Sequence, residues 1–205
     1  DFVMEKKKND FIAQGSILAI ASILVRVMGM IYRIPMTAII GDKGNGFYSY
    51  AYSVYTILLL LSSYSLPLAV SKMVSAKAQL GQWRNVKRVF ICAIAFAIGI
   101  GTTFGLIVLI GAQFFTRVFF HSELAAIALR FMAPTILIMA LLGVFRGFFQ
   151  GLQNTLPTAV SQIVEGLINA IMSVVFAYFL FDFGHGMDVA SGTTDLGYAW
   201  GAAGG

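Results

Sequence analysis

Residues Gly143 to Gly166 read GVFRGFFQGLQNTLPTAVSQIVEG, two apolar stretches that carry polar side chains and meet at Pro157. Arg146, Gln150 and Gln153 recur at i, i+4 and i+7, one face of a helix. Gly143, Gly147 and Gly151 form a small-residue stripe beside them that admits a close neighbour. Beyond Pro157, Thr158, Gln162, Glu165, Asn169 and Ser173 recur at steps of three and four, so a second helix, otherwise Val, Ile, Leu, Ala and Phe, also has one polar face. Two such faces joined by a short turn predict a shared polar interior.

Composition says what surrounds that interior. The 205 residues are 59% hydrophobic and 11% charged, with a mean hydropathy of +0.84, which predicts an all-α polytopic membrane protein rather than a soluble domain. The net charge of +5 comes from short basic clusters between apolar runs, the pattern of topology signals, so nucleic acid is not an expected partner. Cys92 stands alone in an apolar run and reads as a small buried hydrophobe. No set of His, Cys and carboxylates has metal-ligand spacing and no local motif marks a nucleophile, so neither a metal, a cofactor nor catalytic chemistry is expected.

In chain order, residues 1–10 form a polar segment with the run Lys6-Lys7-Lys8; Met4 follows three residues that read as upstream sequence. Helices are predicted at about 11–40, 47–75, 89–115, 124–150 and 158–181, with a partial sixth at 196–205 that the chain cuts short. Together, 11–205 make one transmembrane bundle. The first apolar run is too long for a signal peptide and lacks a small-residue cleavage pattern, so it reads as a retained helix.

Arg26 and Arg33 of that helix are seven residues apart, hence about 20° apart in azimuth and roughly 10 Å apart along the axis, with Gly29 between them. Arg26 lies roughly 22 Å along the helix from Phe11, within a hydrocarbon core of about 30 Å, where a lipid-facing guanidinium is costly; it therefore needs a partner or a function. Arg33 either shares that role or snorkels to the outer interface. Pro35 predicts a kink.

Gly41 to Gly46 reads as a turn, and Tyr48, Tyr52 and Tyr55 then form either an interfacial aromatic belt or a stacking surface for sugar rings. Pro67, flanked by Ser62, Ser63, Ser65 and Ser71, predicts a hinge or a cavity-lining bend. Gly101 and Gly105 form a close-packing face. Lys72, Lys77, Arg84, Lys87 and Arg88 have no acid among them, whereas 182–195 reads as a loop with three acids and no Lys or Arg, which predicts a cytoplasmic N-terminus.

These residues resemble the multidrug/oligosaccharidyl-lipid/polysaccharide exporter superfamily, and within it the polysaccharide-biosynthesis flippases of the stage V sporulation protein B type. The resemblance is carried by Arg26-x-x-Gly29-x-x-Tyr32-Arg33-x-Pro35, by Pro67-x-Ala69-x-Ser71-Lys72, and above all by Arg146-Gly147-x-x-Gln150-Gly151-x-Gln153 followed by Pro157-Thr158-Ala159-x-Ser161-Gln162-x-x-Glu165. Ser65 stands where members of the family usually carry glycine. The resemblance implies the first helical bundle of a two-bundle flippase fold, with the C-terminal bundle beyond this chain. It implies a multi-pass protein of the cell membrane that moves a lipid-linked oligosaccharide, such as a peptidoglycan precursor on a polyprenyl pyrophosphate, between leaflets.

Arg26, Gly29, Arg33, Arg146, Gln150, Glu165 and Asn169 are the expected substrate-binding residues, since arginines grip phosphate oxygens with paired hydrogen bonds and glycines make room for a head group. Alternatives are a cation-coupled multidrug antiporter of the same superfamily, for which only Glu165 is a suitable carboxylate, and a non-transporting envelope or spore assembly factor. A glycosyltransferase would need paired interfacial acids, and Asp182, Asp188 and Asp195 lack Asp-x-Asp spacing.

Overall fold

The computed structural model describes residues 2–63 and 65–205, with the side chains of 2–12, 14 and 61–63 outside the description. The side chains of the Lys6-Lys7-Lys8 run and of Ser62 and Ser63 therefore lie outside the described residues. Six helices follow one another: α1 Phe2–Ser63, α2 Leu66–Gln79, α3 Trp83–Phe120, α4 Ala125–Gly151, α5 Leu156–Ser191 and α6 Leu196–Gly204. Among the described residues, α1, α3, α4 and α5 are long and apolar enough to cross a membrane. The chain is a multi-pass, all-α membrane protein.

The first helix is folded back on itself. Gly41 has φ 64 and ψ −174, a conformation open to glycine but strained for a side-chain-bearing residue. A Cβ placed on Gly44 would lie 2.8 Å from the Cβ of Ile40, although side chains four apart on a continuous helix stand about 5–6 Å apart. Tyr32 and Tyr48 pack on the same buried cluster of Met36, Ile40 and Ala177. The limbs before and after Gly41 are thus two separate helical segments. The expected turn over 41–46 contracts to this one residue, and the chain stays helical through Pro35, so the sharp break comes at the glycine and not at the proline.

The second limb of α1 and α2 run alongside α4 and antiparallel to α3. At one level Ala51, Val54 and Tyr55 pack with Val108, Ala112, Ala126 and Leu129; at the other Leu66, Val70 and Val74 pack with Val86, Ala93, Ala140 and Val144. The helix expected at 47–75 is divided near Ser65, with Pro67 in the first turn of α2, where its missing N–H leaves no partner unsatisfied. The glycine stripe on α4 receives α2: a Cβ on Gly147 would meet the Pro67 carbonyl oxygen at 2.5 Å, and one on Gly151 the Ser71 carbonyl oxygen at 2.8 Å. On α3, Gly101 lies equally close to the backbone of Leu137.

The first limb of α1 runs parallel to α5, with Val25 and Met28 beside Gly166 and with Met36 and Ile40 beside Ala177. α6 then returns antiparallel to α5, Gly184 lying against Leu196 and Gly197, and Gly204 against Phe176 and Ala177.

Three expectations are corrected here. Residues 182–191 are helical, and the buried carboxylate of Asp188 accepts hydrogen bonds from the Thr193 hydroxyl (2.6 Å) and the Leu196 and Gly197 N–H groups (3.0 and 2.8 Å), so an α5 acid caps the first turn of α6. Gln153 does not continue the polar face of α4: the helix ends at Gly151, and Gln153 adopts a left-handed conformation in the turn. Cys92 is exposed on α3 instead of buried, an apolar position that faces outward because the surrounding solvent is lipid.

Candidate functional site

Where the first limb of α1 passes α5 and α4, a polar cavity of about 320 Å³ is lined by Ser22, Val25, Arg26, Arg146, Gln162, Glu165, Gly166 and Asn169. Its shape follows from the parallel packing of α1 on α5. Gly166 lets Val25 and Met28 approach, which brings Arg26 to the level where Arg146 crosses from α4.

Arg146 is held by two residues on successive turns of α5. Its Nε donates to the Ser161 hydroxyl at 3.2 Å, and its terminal nitrogen donates to the Glu165 carboxylate. Ser161 in turn donates to the Thr158 carbonyl oxygen at 2.8 Å, so the hydroxyl is oriented to accept from the arginine. The Arg146 side chain is 18% exposed and that of Glu165 39%, an ion pair sheltered on its arginine side and open on its carboxylate side. Gln162 Oε1 is buried in the same wall and has no hydrogen-bond partner among the described residues. Asn169 lies one turn beyond Glu165, with its Oδ1 3.2 Å from the Ser173 hydroxyl.

Four of the seven residues singled out by the sequence therefore meet: Arg26, Arg146, Glu165 and Asn169. Gly29 stands beside open space, for a Cβ there would touch nothing within 4 Å. Arg33 is exposed and lines a separate groove with Met30, Ile34, Thr37 and Ala38. Gln150, in the last turn of α4, is half-buried and outside the lining of the Arg26 cavity. Ser22, Val25 and Gly166 joined the site unforeseen. Ser22 was legible as the residue one turn before Arg26 on the same face; Gly166 was not, because what it contributes is room for another helix.

Of the tyrosines, Tyr55 is buried in the main core, and Tyr48 and Tyr52 stack with ring centroids 5.7 Å apart. Tyr55 thus serves packing.

Chemically, the cavity holds two guanidinium groups and one carboxylate. Because the carboxylate is already engaged by Arg146, the remaining excess is one positive charge, at Arg26, with neutral donors and acceptors around it. Such a lining suits a polar guest with an anionic group.

The model of the family described as polysaccharide biosynthesis protein matches residues 11–186, most of the chain and the whole of this cavity. The chain belongs to that family. Among curated proteins it is similar to the lipid II flippase MurJ of Bacillus subtilis (strain 168), 26% identical over 92% of this chain and 36% of that protein. Stage V sporulation protein B of the same organism is 26% identical over 84% of this chain and 34% of its own length. A third relative from that bacterium, the uncharacterized membrane protein YabM, matches at the same identity over 84% of this chain. The chain spans about a third of the length of these relatives. No solved structure matches it.

Proposed function

We propose that this chain forms one wall of a flippase that carries a lipid-linked oligosaccharide, a polyprenyl pyrophosphate-bound precursor of the cell envelope, from the inner to the outer leaflet. The observation that carries the reading is the convergence of Arg26 and Arg146 on one polar cavity whose single acid is already paired. The pyrophosphate would sit against Arg26 and the free edge of Arg146, the sugar against Gln162 and Asn169, and the polyprenyl tail would remain in lipid. Gly29 extends that path along α1 and Gln150 lies at its inner approach, while Arg33, in its separate groove, serves the outer interface. No bond is made or broken in this scheme; the transporter alternates access to a polar cavity between two bundles, of which this chain supplies the first.

A cation-coupled antiporter fits less well. It needs a carboxylate free to take up a proton or cation, and Glu165 is held by Arg146. The test is transport by the full-length protein in vesicles. A polyprenyl pyrophosphate disaccharide should reach the opposite leaflet in its presence, and a cationic dye should not; dye uptake without lipid translocation would overturn the proposal.

The proposed orientation has the N-terminus in the cytoplasm. The α2–α3 corner bearing Lys72, Lys77, Arg84, Lys87 and Arg88 contains no acid, while Asp42, Glu123, Asp188 and Asp195 gather at the other end. Cysteine placed at Gln82 in a Cys92→Ser background should resist a membrane-impermeant thiol reagent applied to intact cells. Labelling from outside would reverse the topology.

A further inference from the structure

The turn between α2 and α3 joins two properties rarely combined on a water-facing corner. Leu80 and Trp83 are 67% and 63% exposed at its tip, and five cations surround them: Lys72, Arg84, Lys87 and Arg88 are exposed, and Lys77 is half-buried. Among the described residues none of the five makes an ion pair. No acid occurs between Asp42 and Glu123, and the α4–α5 turn at the same end adds Gln153 and Asn154 but no acid. The corner is built rather than frayed. Gly81 turns the chain at φ +69, Val74 and Val86 anchor the two helix ends in the core, and Asn85 Nδ2 donates to Gln82 Oε1 at 2.9 Å.

Its depth is set by α3. Val89 to Thr116 is free of charge and, at about 1.5 Å per residue, gives roughly 42 Å of helix, more than a hydrocarbon core of about 30 Å. A bilayer with its headgroups is about 40–45 Å thick, so Arg84, Lys87 and Arg88, in the next ~6 Å, lie at the water-facing edge of the headgroup region. Spacings of three and four put them on one face of α3, with Val86 buried on the other. The exposed indole of Trp83 belongs at the same boundary.

We propose that this corner is a binding site for anionic phospholipid headgroups, with phosphatidylglycerol the type of ligand. Leu80 and Trp83 lie among the headgroups beside the cations, which bind lipid phosphates and exclude the zwitterionic lipid that lacks net charge. Cations near a membrane surface each contribute about 1 kcal/mol toward anionic lipid, roughly fivefold, so a cluster of this size discriminates between headgroups well above thermal noise. The site is separate from the arginine cavity and requires neither the transport proposal nor the assigned orientation.

Trp83 is its reporter. The full-length protein is placed in nanodiscs of phosphatidylcholine doped with brominated lipid, and Trp83 fluorescence is taken as the signal lost in Trp83→Phe. At equal mole fraction, brominated phosphatidylglycerol should quench Trp83 at least about twofold more than brominated phosphatidylcholine, the difference shrinking as salt is raised. Equal quenching by the two lipids would overturn the site. In the Arg84→Gln, Lys87→Gln, Arg88→Gln triple variant the preference should fall by more than half, since only Lys72 and Lys77 remain, and in the Arg84→Lys, Arg88→Lys variant it should persist, because point charge suffices for headgroup attraction. Loss in the lysine variant, or persistence in the glutamine variant, would show that these cations do not form the site.

Discussion

Replacing Arg26 with alanine in the full-length protein should lower lipid translocation at least ~100-fold, the loss of two charge-assisted hydrogen bonds at about 1.5 kcal/mol each. Helix insertion should be unaffected, because Arg26 is exposed to the cavity and makes no ion pair among the described residues. Arg26→Lys separates grip from attraction. Lysine retains the charge but not the planar fork, so transport should fall by about tenfold if two phosphate oxygens are held together, and should hardly change if only a positive potential is needed. Arg33 supplies an internal comparison. In its separate groove beside Met30 and Ile34 it reaches outward, so Arg33→Lys should be close to neutral. Initial rates in vesicles, at matched protein incorporation, give all three numbers. Wild-type rates in Arg26→Ala would remove the cavity from the transport path.

The polar residues of the site were legible because each violates the apolar pattern around it. An arginine midway along a membrane helix needs a reason, and a stripe of Gln162, Glu165 and Asn169 needs a polar interior to face. Helix spacing put Glu165 on the polar face of α5, and the structure sets Arg146 against it and against Ser161, which the stripe did not include.

Chain reversal was less legible. A glycine-rich run such as Gly41 to Gly46 announces a change of direction but not which residue takes the positive φ, and here Gly41 takes it while the others remain helical. The run 182–195 misled for a different reason. Its acids and glycines read as a loop, yet α5 continues because Asp188 is consumed in capping α6, a tertiary contact that composition does not encode. Cys92 shows the inversion of the usual burial rule, since apolar surface on a membrane helix has no need to turn inward.

The Arg146–Glu165 pair should behave as one unit. Arg146→Ala strands a carboxylate in the cavity wall, and Glu165→Gln leaves the guanidinium with Ser161 as its remaining partner on α5. Each single change should destabilise the protein, while a variant carrying both Arg146→Ala and Glu165→Gln should cost less than their sum, because removing both partners strands neither. For a pair open to solvent on the carboxylate side, a coupling of about 1–2 kcal/mol is expected from a double-mutant cycle. Transport should separate from stability in the charge-swapped variant Arg146→Glu, Glu165→Arg. The swap restores the ion pair but moves the guanidinium to α5 and turns an acid toward the cargo, so folding should recover while translocation stays at least ~10-fold below wild type, the loss of one charge-assisted phosphate contact. Thermal unfolding in detergent reads the first quantity and vesicle assays the second. Strictly additive stability costs would show that the two side chains are neighbours without being partners, and recovery of transport by the swap would mean that Arg146 serves the fold and does not touch the cargo.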